Sequence, residues 1–432
     1  MLKKGEHMTK TTTSWLRGSH ALAAAVITIN LGACASFPDD EEDVGIDQSA
    51  VEGVHTEIDG VHTWAHFTNP SGNEDLKIIN HLIQLIKDTP SNETIQAAVH
   101  SLNIREVYKA LEEAKQKGVN IQVVHNGADQ LHKPGKPWET EDKFPDKLHL
   151  RLGERDGQND ETFHIFCGEN KNKQNRAANH GCITKAKSGM MHAKFFVFSK
   201  TIVEDGAGAL DVRDNVVWFG SSNLTHHSAK TFNNAITIYG DADLYLGFVG
   251  YFGDLVDLNK SKHKHVEHPD YYNDEITPKK GFWKSGSGKV RVYASPERDG
   301  NLVLRQLKKI KAELGCKVHV AQAMITDVDL VNRLIKLSQD GCTVKVATTK
   351  RTKVVKKLKR NNISVKINKD IHDKSILVYA RFNSPEFRYF VFTGSHNWVP
   401  SADNKNDEIL VRLESESLYY AYRDHFYRSY ND

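Results

Sequence analysis

An internal duplication constrains this chain more than any other feature of its sequence. Between residues 93 and 126 the pattern reads strand, helix, strand. Ile95, Ala97 and Val99 alternate, Val107, Leu111 and Ala114 recur at helical spacing, and Ile121, Val123 and Val124 follow Gly118. From residue 316 to 350 the same order returns without a gap. Val318, Val320, Leu330, Leu334, Leu337, Gly341, Val344 and Val346 stand where Ile95, Ala97, Val107, Leu111, Ala114, Gly118, Ile121 and Val123 stood before. Upstream, residues 66–70 pair with 292–296, each a strand ending in a turn before a helix at 76–87 or 302–311. Strands and helices alternating in this way, twice over, predict an α/β fold. The expectation is two tandem α/β sandwich domains, each with a largely parallel sheet, related by a pseudo-two-fold axis.

The remaining segments fall around that repeat. Lys3, Lys4, Lys10 and Arg17 precede an apolar run at 21–29, too short to span a bilayer as a helix. Leu31-Gly32-Ala33-Cys34 follows. Residues 1–34 therefore read as an export signal. Small residues before Cys34 resemble a bacterial lipobox, in which Cys34 becomes the acylated N-terminus; an ordinary secretory cleavage near Ala33 to Ser36 is the alternative. The expected location is periplasmic, membrane-anchored as a lipoprotein, or secreted. Residues 35–60 read as an acidic tether, 61–258 as the first domain, 259–289 as a linker and 290–432 as the second domain. The first domain carries an extra segment at about 130–187, rich in Asn, Lys, Gly and Pro, which is expected to include a long surface loop. In an oxidising compartment Cys167, Cys182, Cys316 and Cys342 can form zero to two disulfides. Cys316 and Cys342 each precede a β-like run, so a bridge between neighbouring strands is one solution. None has CxxC spacing, which argues against a zinc site.

The chemistry sits in motifs that share the duplication. His-x-Lys occurs twice, as His192-Ala193-Lys194 and His372-Asp373-Lys374, each leading into an apolar run that places His and Lys on one strand face. Gly-Ser-x-Asn follows each time, as Gly220-Ser221-Ser222-Asn223 and Gly394-Ser395-His396-Asn397, and Asn233 and Asn406 come further on. Two imidazoles brought together can divide the work of displacement at phosphorus, one as nucleophile and one as proton donor to the leaving oxygen. Lys194 and Lys374 supply charge, and Asn223 and Asn397 supply neutral donors, for the phosphoryl oxygens.

This pattern resembles the phospholipase D superfamily, whose duplicated HxK(x)4D…GSxN signature it follows over nearly the whole chain after the signal. The resemblance implies one site between two halves, a phosphohistidine intermediate, and diester cleavage without metal or cofactor. It assigns catalysis to His192, Lys194, Asn223, His372, Lys374 and Asn397, and places Ser221, Ser395, Asn233 and Asn406 at the substrate. Two departures stand out. The Asp five residues after each Lys is replaced by Ser199 and Tyr379, and Asn-x-Glu survives only as Asn406-Asp407-Glu408, against Asn233-Asn234-Ala235 in the first half. A carboxylate on an imidazole Nδ1 fixes the tautomer. Glu408 can serve one histidine in this way. His192 then needs another partner, such as Asp241 or Asp243. Family precedent makes His192 the nucleophile, the local carboxylate points to His372, and the roles stay open.

Several further features have plainer readings. His226-His227 and His263-Lys264-His265 read as solvated histidines, Phe195, Phe196 and Phe198 as core, and residues 241–258 as a helix packed on a sheet. His396 either contacts substrate or is held within the protein. The basic run 350–360 starts at the end of a predicted strand. It is either attracted to phosphates or a solvated helix with Val354, Val355 and Leu358 facing inward. Lys+Arg is 58 against Asp+Glu 55, a net charge of +3, which excludes binding of polyanions by bulk charge but permits a local patch. Three functions follow: an exported hydrolase of phospholipid head groups acting at a membrane surface, an exported nuclease with the same chemistry, or a phosphate-binding protein on a degenerate fold. With both half-sites in one chain, a monomer without an obligatory protein partner is expected.

Overall fold

The computed structural model describes residues 53–70, 72–129, 144–155, 161–168, 181–183, 186, 188–204, 210–259, 281–297 and 300–432. The expected export signal, Cys34, most of the acidic segment and the histidines at 263–265 lie outside them. The described residues fall in one compact unit, residues 48–432.

The first half runs β1 (Val54–Ile58), β2 (Val61–Thr68), α1 (Lys77–Lys87), β3 (Thr94–Val99), α2 (Arg105–Gln116), β4 (Asn120–His125), α3 (Phe144–Leu152), β5 (Phe163–Phe166), β6 (Phe195–Glu204), β7 (Leu210–Gly220), α4 (His226–Ala229), β8 (Asn233–Ile238) and α5 (Ala242–Asn259). The second half repeats it as β9 (Phe282–Lys284), β10 (Val290–Ser295), α6 (Leu302–Lys308), β11 (Ile310–Lys311), β12 (Lys317–Gln322), α7 (Val328–Gln339), β13 (Thr343–Thr348), α8 (Lys353–Arg360), β14 (Ser364–Ile367), β15 (Lys374–Phe382), β16 (Phe387–Gly394), α9 (Pro400–Asn404), β17 (Glu408–Glu414) and α10 (Glu416–Asn431). Sheet order confirms the duplication. The first sheet runs β1-β2-β8-β7-β6-β3-β4-β5 and the second β9-β10-β17-β16-β15-β12-β13-β14, with β11 as an extra strand on β15.

The sheets are mixed rather than largely parallel. Only β3-β4-β5 and β12-β13-β14 are parallel. The other neighbours are antiparallel, because the stretches joining β6 to β7 and β15 to β16 are too few residues for the crossover that a parallel pairing needs. Segment boundaries also shift. β1 draws residues 54–58 out of the acidic tether and pairs them with β2, and β9 lies inside the expected linker. Within 130–187, α3 and β5 are the counterparts of α8 and β14, so part of that segment belongs to the repeat itself.

Three apolar cores explain the layering. Outer cores form where α1 and α2 cover one sheet and α6, α7 and α8 cover the other. Between the sheets lies a shared core filled by α5 and α10. Leu244, Phe248, Tyr251, Phe252 and Leu255 of α5 are all buried there, as a helix packed on a sheet requires. β6 is apolar on both faces for the same reason: Phe195 and Val197 enter the shared core, Phe196 and Phe198 the outer one. Each such ring contributes on the order of 1.5–3 kcal/mol of burial. Both cysteine pairs are bridged, Cys167 to Cys182 and Cys316 to Cys342. The second bridge ties the starts of the adjacent parallel strands β12 and β13.

Candidate active site

Strand polarity brings the motifs to one edge of each sheet. Phe195 pairs with Ala98 near the end of β3, and Lys374 pairs with Gln322 at the end of β12, so each His-x-Lys enters beside the C-terminal end of a parallel strand. Each Gly-Ser-x-Asn turn leaves β7 or β16 at that same edge. The glycines there are obligatory: a Cβ on Gly220 would lie 2.3 Å from Asn234 O, and one on Gly394, at φ +129°, 2.4 Å from Ile409 O.

The two edges are stitched to each other. His192 and Ala193 donate their amides to Asp407 O at 2.9 and 2.8 Å, while Phe232 N donates to Asp370 O and His372 N to Phe232 O at 2.7 and 3.0 Å. Side chains deepen the seam. Asn234 Nδ2 donates to Asp373 Oδ1 at 2.6 Å, Tyr422 OH donates to Asn234 Oδ1 at 3.1 Å, and Thr393 Oγ1 donates to that same oxygen. His425 Nε2 pairs with the other Asp373 oxygen at 2.8 Å. Asp407 turns its carboxylate to Cys182 N at 2.5 Å and to Ile183 N.

Those seams carry a crossed exchange of partners. Glu408, at the start of β17 in the second half, accepts a hydrogen bond from Nδ1 of His192 in the first half at 2.7 Å. Asn233, at the start of β8 in the first half, accepts from His372 Nδ1 of the second half at 2.8 Å. The Asn233 amide is oriented by its own contacts: Nδ2 donates to Ser228 O, Thr231 O and Thr231 Oγ1, which leaves Oδ1 for the imidazole. Both histidines are therefore held as Nδ1–H tautomers, leaving Nε2 of each as the reactive nitrogen. This corrects two expectations. Glu408 serves His192 rather than His372, because the seam sets the start of β17 against the opposite half. Neither Asp241 nor Asp243 is the partner; Asp241 Oδ1 instead accepts from Leu244 N in the first turn of α5.

The crossed exchange also revises the internal correspondence. Ser221 Oγ donates to Asn233 Oδ1 at 2.9 Å, and Ser395 Oγ donates to Glu408 Oε2 at 2.6 Å. Asn233 thus matches Glu408, not Asn406. Asn406 Nδ2 donates to Glu408 Oε1 at 3.0 Å. The sequence places Ser221, Ser395, Asn233 and Asn406 against substrate, yet all four are buried and bonded to the histidine partners or to the histidine itself. They hold the imidazoles in position.

Lys194 and Lys374 are buried, and each donates to the carbonyl of its own motif histidine at 2.6 Å. Among the described residues neither has a carboxylate within ion-pair distance. Burial, and then the neighbouring ammonium, hold Lys194 well below the ordinary lysine value; burial brings Lys374 down to about 8. Burial also pushes both imidazoles well down, reinforced by Lys194 and Lys374 acting on each. The two amines and two imidazoles thus crowd one another beside Glu408, and an incoming phosphate would relieve the repulsion. Among the described residues the Asn223 and Asn397 side chains make no hydrogen bond, so their Nδ2 donors remain available to a ligand.

Beside the site, on the first-half side, a small cleft is lined by Lys194, Ser222, Asn223, Ser101 and His100. Sequence reading missed His100. Its ring meets His192 edge-on at 4.5 Å, and its Nδ1 donates to Met191 O at 2.9 Å. Its place in the second half is taken by Ala323, so the duplication could not expose it; its position just after β3, where a parallel strand ends, was the available signal. His396 is held within the protein, 3.2 Å from Asp403. Burial opposes its charge, but Asp403 outweighs that and raises its pKa. His226 meets Glu74 at 2.9 Å on the exposed surface.

Comparison with known proteins agrees with this fold. The family model described as "Cardiolipin synthase, PLD-like domain" matches residues 82–255 and 305–430. The structure resembles phosphatidylserine synthase from Haemophilus influenzae Rd KW20 at TM-score 0.55 and 10% identity, covering 88% of each chain. It also resembles polyphosphate kinase from Porphyromonas gingivalis at TM-score 0.51 and 10% identity, over 86% of this chain and 50% of that one, so the present chain spans about half that enzyme's length. At such identity these likenesses speak to the fold. No curated protein matches the sequence.

Proposed function

The chain belongs to the cardiolipin synthase PLD-like domain family, and from that premise we propose that it is an exported phosphodiesterase of the phospholipase D type, hydrolysing phospholipid head groups through a phosphohistidine. The observation that carries the reading is the crossed exchange, which gives the two histidines unequal partners. His192 has a carboxylate on Nδ1 and His372 an amide oxygen.

That inequality supports one division of roles. When His192 Nε2 attacks phosphorus, positive charge develops on its ring, and Glu408 stabilises it. The P–N bond forms as the bond to the leaving oxygen breaks. His372, protonated at Nε2, passes that proton to the departing alkoxide. Its neighbours Lys374 and Lys194 make the imidazolium a stronger acid. Both ammonium groups and the Asn223 and Asn397 amides stabilise the equatorial oxygens. In the second step water gives its proton to His372 and its oxygen to phosphorus, and the P–N bond breaks. Nothing in this scheme asks for a metal.

Export rests on the basic and apolar N-terminal segment, and two disulfides fit an oxidising compartment. Both half-sites lying in one chain supports a monomer, and a phospholipid surface is its proposed partner. The test is direct. His192→Ala and His372→Ala should each abolish head-group release from phospholipid vesicles while leaving the circular dichroism spectrum unchanged. Full activity in either variant sinks the shared-site mechanism. Cleavage of DNA or RNA with no release from lipid assigns the site to a nuclease instead.

A further inference from the structure

We propose that the second-half rim of the site is a docking edge for an anionic lipid bilayer. The proposal rests on the lipid reading above and adds where, and by what chemistry, the membrane is held. Two loops form this rim. One follows β12 and carries Met324; the other follows β13 and carries Lys350 and Arg351. They are fastened together by Thr349 Oγ1 donating to Ala323 O and Thr352 Oγ1 donating to Ile325 O. The first loop is also tied to the catalytic turn, with Trp398 N donating to Met324 O at 3.1 Å, one residue past Asn397. The rim is therefore fixed relative to the phosphate-handling groups.

Its side chains combine two chemistries. Met324 is 40% exposed and Val328, at the start of α7, is 50% exposed, although each sits among loops that otherwise bury their apolar residues. Beside them Lys350, Arg351, Lys353 and Lys356 all face solvent, and none has a carboxylate partner at ion-pair distance among the described residues. On α8 only Val355 and Leu358 are buried, which leaves the cations on the outer face. Asp327 is turned inward as the cap of α7, and Asp329 is the acidic neighbour that faces out.

Apolar tips ringed by unpaired cations suit a headgroup boundary: the tips enter between acyl chains while lysines meet lipid phosphates. A nucleic-acid track would use the cations and gain nothing from an exposed methionine and valine. At the positions related by the repeat the first half has Ser101 for Met324, Arg105 for Val328, and Gly127 and Ala128 for Lys350 and Arg351, so its described loops lack this pairing of apolar tips with cations. The docking edge lies on the second half. It would tip the second half onto the membrane and bring a diester from the bilayer surface to the site.

The full-length protein can be tested by co-sedimentation with vesicles of phosphatidylcholine alone or mixed with phosphatidylglycerol, with turnover of bis(p-nitrophenyl) phosphate as a soluble control. Affinity for the mixed vesicles should exceed that for phosphatidylcholine. Lys350→Gln with Arg351→Gln should weaken it roughly 25-fold, about fivefold per cation. Met324→Gln with Val328→Gln should weaken binding to both vesicle types. Soluble turnover should stay at the wild-type level in both variants. Unchanged vesicle affinity in both double variants, with soluble turnover intact, overturns the docking edge and leaves the catalytic reading standing. Absence of soluble turnover in the wild type counts against the catalytic reading alone. Single-stranded DNA binding that is lost in the cation variant while vesicle binding persists would reassign the edge to nucleic acid.

Discussion

Replacing Glu408 by glutamine removes one negative charge and leaves the local architecture room to adjust. The carboxylate meets His192 Nδ1 and Ser395 Oγ through Oε2, and Asn406 Nδ2 through Oε1. A glutamine carbonyl can keep the first two bonds. Its amide then faces Asn406, whose own Oδ1 is buried and unpartnered, so a flip of Asn406 restores the third. The fold should survive. What is lost is the attraction between a carboxylate and the ring charge that grows on His192. At about 4 Å and an effective dielectric near 20 that attraction is about 4 kcal/mol. The resting carboxylate carries its own desolvation cost, so the net loss should be about 3–4 kcal/mol, or a 10²–10³-fold fall in kcat. KM should change little, because the charge matters only once the P–N bond is forming. Rapid-quench measurement of the first turnover separates the steps. Formation of the phosphoenzyme should become slow, and no intermediate should accumulate. Accumulation of phosphoenzyme in Glu408→Gln, or a kcat within threefold of wild type, would refute the assignment of His192 as nucleophile.

Two further outcomes follow from the seam and from the buried bases. Asn234→Ala removes the amide that joins Asp373, Thr393 and Tyr422, leaving buried polar groups unsatisfied; it should cost about 3 kcal/mol in urea denaturation. A loss below 1 kcal/mol would mean the seam is not what joins the halves. Both imidazoles are pushed below the ordinary histidine value, chiefly by burial. In the proposed mechanism His192 must be neutral and His372 protonated, so kcat/KM should be bell-shaped in pH, with one limb for each imidazole. With both values lowered, the optimum should lie below pH 6.5 on a soluble diester; a plateau extending above pH 8 would contradict that assignment.

The sequence made the repeat legible because core positions in β3, α2 and β4 tolerate only apolar residues of similar size, and their counterparts in β12, α7 and β13 obey the same limit. The same logic exposed His192, Lys194, His372 and Lys374, whose chemistry is needed twice. What it could not show is which residue crosses the seam. Glu408 follows His372 by a short stretch of chain, so proximity along the sequence favours the wrong partner. Only the pairing of Met191 with Asp407, and of Phe232 with Ile371, reverses it. Sheet direction was misread for a related reason. Apolar runs such as 195–198 look alike in parallel and antiparallel strands when both faces are buried. The family's Asp after each Lys has a traceable substitute in one half: Ser199 donates to Glu93 Oε2 and accepts from Thr94 N. In the other, Tyr379 stacks on Tyr389.

Because each half finishes the imidazole of the other, a half standing alone as one copy would leave its histidine without the partner it has here. A lesion at Glu408 reads out as a defect of His192, and one at Asn233 as a defect of His372, so the two repeats must drift in concert although they no longer resemble each other closely. Severing the gene between codons 260 and 280 should therefore yield two mute polypeptides whose activity returns only on mixing.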